Sequence, residues 1–184
     1  MNAAMDETSR SNRAAWEVAA TKYVRESDQI LEAFDRKGSL LPVEIAALRP
    51  VLASGPQVVH LQSGNGLDDL HLIQLGATRV VGVDFSSVTA LAAQTRAGSQ
   101  PCHYVLGFVP HVPLVDECAD LVYTGKGALI WLPDLNAWAR EVHRLLRPGG
   151  SLYLYEAHPC GPLWAWDPDV ATIRQDRGYF EATH

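Results

Sequence analysis

The sequence predicts an α/β protein, a doubly wound parallel sheet with helices on both faces. Two observations carry this expectation. Short, continuous apolar runs at residues 58–61, 80–83 and 121–123 alternate with segments whose apolar residues recur at helical spacing. That is the pattern of strands buried on both faces and joined by crossover helices. The first run leads into Gly64-Asn65-Gly66 and the second into Asp84. Turn glycines and an acid thus fall at successive strand tips, the end of such sheets where ligands bind.

Taken in order, residues 1–11 are polar and charged and read as a flexible tail. Residues 12–184 read as one domain: N-terminal helices over 12–50, a cofactor-binding sheet core over 57–158, and an irregular or helical tail over 159–184. Asn12 can cap a helix on which Trp16, Ala19, Ala20, Tyr23 and Val24 share a face. A second helical stretch carries Ile30, Leu31 and Phe34 before Gly38, and Pro42, Pro50 and Gly55-Pro56 punctuate the approach to the first strand. That strand, 58–61, ends in the loop 62–66, and Leu67, Leu70 and Ile73 follow on one helical face. The second strand stops at Asp84; Ser86 or Ser87 caps a helix bearing Val88, Leu91 and Ala92. Residues 103–106 and 121–123 give the third and fourth strands. Asp134 caps a helix with Leu135, Trp138, Val142 and Leu145 at helical spacing, and Arg144 and Arg147 near its end suit the helix dipole. Pro148-Gly149-Gly150 stops it, and 151–156 is the fifth strand. Right-handed crossovers restrict these elements to a Rossmann-like layout.

Composition excludes several classes. Of 184 residues, 47% are apolar and 20% charged, so the chain can bury a core and is not disordered. Fifteen Lys plus Arg against 21 Asp plus Glu give a net charge of −6, which argues against a broad basic face for nucleic acid. No apolar stretch approaches the roughly 18 residues that span a bilayer, and the N-terminus is polar rather than signal-like. Cys102, Cys118 and Cys160 show no metal-ligand spacing. Gly-x-Ser-x-Gly and Gly-Lys-Ser/Thr are both absent, so no hydrolase elbow or P-loop is expected. A cytoplasmic domain is expected, with a small molecule rather than nucleic acid or membrane as its partner.

At the first strand tip, Gly64 and Gly66 let the backbone approach a ligand, and the following helix offers unpaired N–H groups. Asp84, twenty residues beyond Gly64, is placed to accept from both hydroxyls of a ribose. A nicotinamide dinucleotide would call for a third glycine where Asp69 stands. With Asp68 beside it, the pair would repel a pyrophosphate. A ligand with one amino group and one carboxylate fits better.

In these residues the chain resembles a class I S-adenosylmethionine-dependent methyltransferase of the type 11 group, over about residues 12–180. Residues 58–68 (Val-Val-His-Leu-Gln-Ser-Gly-Asn-Gly-Leu-Asp) resemble the first motif and 80–86 (Val-Val-Gly-Val-Asp-Phe-Ser) the ribose-binding segment. Residues 120–125 look like the fourth strand, and the Arg-Pro-Gly-Gly of 147–150 like the passage into the fifth. The resemblance implies methyl transfer from S-adenosylmethionine to a small molecule, with S-adenosylhomocysteine as product. It implies cofactor contacts from Gln62, Gly64, Asn65 and Gly66 near the methionine part. Asp84 would hold the ribose, with Phe85 and Ser86 beside it and Phe85 packing on the adenine. Phe108 and Val109 would lie near the adenine amino group, Thr124 and Gly125 would line the methionine side, and Tyr23 would close the site.

Three departures stand out. Gln62 takes the place of an acid near the methionine ammonium, Asp68 that of the motif's third glycine, and Phe108 that of the Asp that accepts from the adenine amino group. The last loss is on the order of 1 kcal/mol, less than tenfold in affinity. The family's last two strands have no counterpart in the 28 residues after Glu156. The fifth strand is therefore expected to present an edge, to be covered by a partner chain, a second copy, or a segment of the native protein. Trp164, Trp166 and Tyr179 could cap that edge.

Methyl transfer from a sulfonium needs orientation more than acid chemistry, and a base only where the acceptor carries a proton. His158, just past the fifth strand, is the candidate base, with Lys126 as a second. His60 reads as a hydrogen-bonded core residue, and the remaining histidines show no metal pairing. A non-catalytic binding or interaction domain on a shortened scaffold of this type is the competing expectation.

Overall fold

In a computed structural model of the chain, residues 7–37, 39–156, 158, 160, 172 and 173 are described. Five parallel strands form one sheet in the order β3-β2-β1-β4-β5. They are β1 (Gln57–Leu61), β2 (Arg79–Asp84), β3 (Cys102–Leu106), β4 (Ala119–Gly125) and β5 (Leu146–Tyr155). The helices are α1 (Glu7–Lys37), α2 (Pro42–Leu52), α3 (Leu67–Gln74), α4 (Ser87–Ala97) and α5 (Leu135–Leu145), with a short 3₁₀ turn at Leu129–Trp131. Strand order reverses between β1 and β4, so the tips of β1, β2 and β4 surround the crevice where such sheets bind ligands.

Alternate residues of each central strand feed two core layers. Val58, Val80 and Leu121 pack with Leu48 and Leu52 of α2 and Leu72 of α3. Val59, Leu61, Val83 and Val122 pack on the opposite face with Trp138, Val142 and Leu145 of α5. Each such side chain contributes about 1.5–3 kcal/mol on burial. Ser86 Oγ caps α4 by accepting from Thr89 N at 3.3 Å, and Asp134 Oδ1 caps α5 by accepting from Ala137 N at 2.9 Å.

The structure corrects the sequence reading at three places. The two N-terminal helical stretches are one 31-residue helix, α1, which starts at Glu7 rather than at an Asn12 cap. No glycine or proline falls between Glu7 and Lys37 to stop it. Pro42 and Pro50 do not break structure but lie within α2, Pro42 at its start, where the missing N–H would have no partner in any case. Pro148-Gly149-Gly150 sits inside β5. Ala119 pairs with Leu146 and Leu121 with Ser151, so residues 147–150 bulge out of register. Among the described residues the sheet ends at β5; Trp164, Trp166 and Tyr179 lie outside them. No described helix is long and apolar enough to cross a membrane.

Candidate functional site

The β1 tip turns sharply. Gln62, Gly64 and Gly66 all have left-handed backbones, with φ of 59°, 56° and 78°. The two glycines serve different ends. A Cβ on Gly64 would meet nothing within 4 Å, whereas one on Gly66 would lie 2.3 Å from the Tyr104 hydroxyl and 2.9 Å from Ala93 Cβ. Gly66 is thus required by packing of the loop onto β3 and α4, and Gly64 leaves open space beside the cleft.

Asp84 organises the neighbouring tip. Its Oδ2 accepts from Gly64 N at 2.8 Å, and its Oδ1 accepts from Ser86 N at 2.8 Å and Thr89 Oγ1 at 3.3 Å. Burial pushes this carboxyl above the usual range, although the hydrogen bonds from Ser86 N and Gly64 N pull the other way. A carboxylate has about four acceptor positions, so Oδ2, with one bond made, keeps capacity for a ligand hydroxyl.

The acids at the start of α3 do not face a ligand as the sequence suggested. Asp69 is fully buried and pairs with His60 Nδ1 at 2.5 Å; His60 is indeed a core residue. Asp68 pairs with Lys126 Nζ at 2.5 Å, and the same ammonium donates to Ser39 O at 3.0 Å. Asp69 therefore presents no charge that would repel a pyrophosphate, and that argument against a dinucleotide falls.

A solvent-open cleft of about 550 Å³ lies over these tips, lined by Gln62, Gly64, Asp84, Phe85, Gly125 and the 126–128 segment, with Asn12, Trp16 and Trp131 opposite. A smaller chamber shares Asn12, Gln62, Phe85 and Trp131 with it and adds Ser9, Phe108, Val109, Leu132 and Pro133. Gln62 Nε2 donates to Ala128 O at 2.8 Å, while its Oε1 is buried with no partner.

Of the residues singled out from the sequence, Gln62, Gly64, Asp84, Phe85, Phe108, Val109 and Gly125 line this space. Others do not. The Thr124 hydroxyl turns inward to donate to Leu61 O, Ser86 caps α4, Asn65 and Gly66 shape the turn, and Tyr23 sits on α1 outside the lining. His158 is exposed and accepts from Cys160 N, away from the cleft lining. On α1 the aromatic in the lining is Trp16, whose ring lies 5.7 Å from that of Trp131. Trp16 carried a signal as part of the apolar helix face; Trp131 carried none beyond its place after β4.

The family model described as "Methyltransferase domain" matches residues 59–154, more than half of the chain. The chain belongs to this methyltransferase family. An uncharacterized methyltransferase from Synechocystis is 33% identical over 129 residues, covering 70% of this chain and 58% of that protein. The phthiotriol/phenolphthiotriol dimycocerosates methyltransferase 1 of Mycobacterium ulcerans is 27% identical over 119 residues, 64% of this chain and 44% of that one. This methyltransferase domain spans about half the length of the curated relatives it matches. The crystal structure of an S-adenosylmethionine-dependent methyltransferase from Mesorhizobium loti aligns with a TM-score of 0.59 at 26% identity, covering 72% of this chain and 65% of that one.

The family's cofactor is S-adenosylmethionine, and the residues present fit it. The orphaned Gln62 oxygen matches an amino group, the open acceptor positions of Asp84 match ribose hydroxyls, and the space beside Gly64 admits close approach.

Proposed function

We propose that this domain transfers the methyl group of S-adenosylmethionine to a small-molecule acceptor. The observation that carries the reading is that Asp84 and Gln62 line one cleft, with Gln62 Oε1 left without a protein partner. When bound, the cofactor supplies a methyl group on a sulfonium. Asp84 holds the ribose by accepting from its hydroxyls, and Gln62 accepts from the amino group. Phe85 packs on the base, and Trp16 with Trp131 shields the far side of the cleft from water. Orientation of this kind accounts for most of the acceleration such a displacement needs.

The titratable side chains in the described lining are Asp84 and Lys126, and both are held by other protein groups. His158 is bonded elsewhere. Among the described residues the lining thus offers no free base, which favours an acceptor atom already unprotonated near neutral pH: a carboxylate, a neutral amine or an acidic thiol. The three cysteines are free, in keeping with a reducing, cytoplasmic setting. Methyl-tritiated S-adenosylmethionine offered with carboxylate, amine, thiol and simple alcohol acceptors tests this. Label is expected on one of the first three classes and not on alcohols. Binding without turnover on any acceptor would favour a non-catalytic role, the reading that Phe108 and a sheet ending at β5 among the described residues support.

A further inference from the structure

The smaller chamber raises a question of recognition. Phe85, Phe108, Val109, Leu132 and Pro133 make it largely apolar, and it adjoins Asp84 through Phe85. A purine on a ribose held at Asp84 would pack on Phe85, which borders both this chamber and the main cleft. Its exocyclic amino group then needs an acceptor, because a buried donor left unpaired is costly. Phe108 supplies none. Asn12, on α1, borders both the chamber and the main cleft. Its Nδ2 donates to Trp131 O at 3.2 Å, which fixes the orientation of the amide, since the reverse would set oxygen against oxygen. Asn12 Oδ1 is thereby presented as an acceptor with no other partner among the described residues.

We propose that Asn12 Oδ1 accepts the hydrogen bond from the adenine amino group, so that α1 supplies a specificity determinant that the loop after β3 does not. The inference rests on the cofactor reading above. The helix is anchored for this duty. Glu17 accepts from Ser87 N at 2.8 Å and from the Ser86 hydroxyl at 3.1 Å, directly beside Asp84 and Phe85, and Arg96 donates to Val24 O at 3.0 Å. Gln62 Oε1, the other acceptor bordering both spaces, sits at the β1 tip and is assigned to the cofactor's amino acid end.

The test is calorimetric and needs no turnover. S-Adenosylhomocysteine is compared with S-inosylhomocysteine, which carries a carbonyl oxygen where adenine carries its amino group. Wild-type protein is expected to prefer the adenosyl ligand at least tenfold. Asn12→Ala is expected to bind it about five- to tenfold more weakly and to lose most of the preference. An unchanged preference in Asn12→Ala, with adenosyl binding intact in the wild type, overturns this inference alone. Failure of the wild type to bind either ligand overturns the cofactor reading and this inference with it.

Discussion

Replacing Asp69 by Asn keeps the side chain's shape and removes the charge that faces His60. The two side chains are 4% and 0% exposed, with His60 Nδ1 2.5 Å from Asp69 Oδ1. Burial pulls the imidazole pKa down, but the charge and hydrogen bond of Asp69 more than offset it, so His60 titrates above its ordinary value. A raised histidine contributes stability that is fully present below its unfolded value of about 6.5 and is lost as pH rises through the folded value. At pH 6, Asp69→Asn leaves a buried imidazolium unpaired, or forces it to lose its proton, and breaking a buried pair in this way costs about 3–5 kcal/mol. At a pH above its folded value the imidazole is neutral and only a buried hydrogen bond is impaired, at about 1–3 kcal/mol. Urea unfolding of both proteins at the two pH values measures the difference. An equal loss at both, or a loss below about 0.5 kcal/mol at pH 6, would refute a charged pair under the glycine loop.

The two glycines of the loop should respond differently. Gly66→Ala combines a left-handed backbone with a Cβ 2.3 Å from the Tyr104 hydroxyl. It should lose about 2–4 kcal/mol in chemical denaturation, in part restored by Tyr104→Phe. Gly64→Ala meets open space and should cost about 1 kcal/mol of stability, with a larger relative loss of S-adenosylhomocysteine affinity by calorimetry. Burial pushes the Glu17 carboxyl up, but hydrogen bonds from Ser87 N and the Ser86 and Ser87 hydroxyls outweigh it, leaving it below the usual range. Its contribution is present above the unfolded value and lost as pH falls through the folded one. Glu17→Ala should therefore speed amide exchange in α1 at pH 7, and the wild type should approach the variant's rates, corrected for pH, as pH falls through the folded value of Glu17.

The sheet was legible because its signals are local. Strands β1, β2 and β4 announce themselves as continuous apolar runs, and the Ser86 and Asp134 caps stand directly before the helices they start. The Gly64 and Asp84 tips followed from strand ends alone. What the sequence did not show are pairings between distant residues. Asp68 and Asp69 look like two exposed helix-start acids until β1 and the segment after β4 bring His60 and Lys126 to them. Trp16 and Tyr23 share one helical face, seven residues apart, and nothing in that spacing says which reaches the cleft. The docking of α1, fixed in part by Glu17 on the start of α4, decides for Trp16. The bulge at Pro148-Gly149-Gly150 was hidden for a different reason: proline and glycine read as a stop, and only pairing with β4 shows that the strand has already begun.

The central claim is that the cleft over Gln62, Gly64 and Asp84 holds S-adenosylmethionine. Calorimetric titration of the full chain with S-adenosylhomocysteine, alongside Asp84→Ala, tests it most directly. The account predicts one site of roughly micromolar affinity in the wild type, weakened at least tenfold in the variant by loss of the hydroxyl contacts. Absence of binding to the folded wild type, or equal binding by Asp84→Ala, would contradict it.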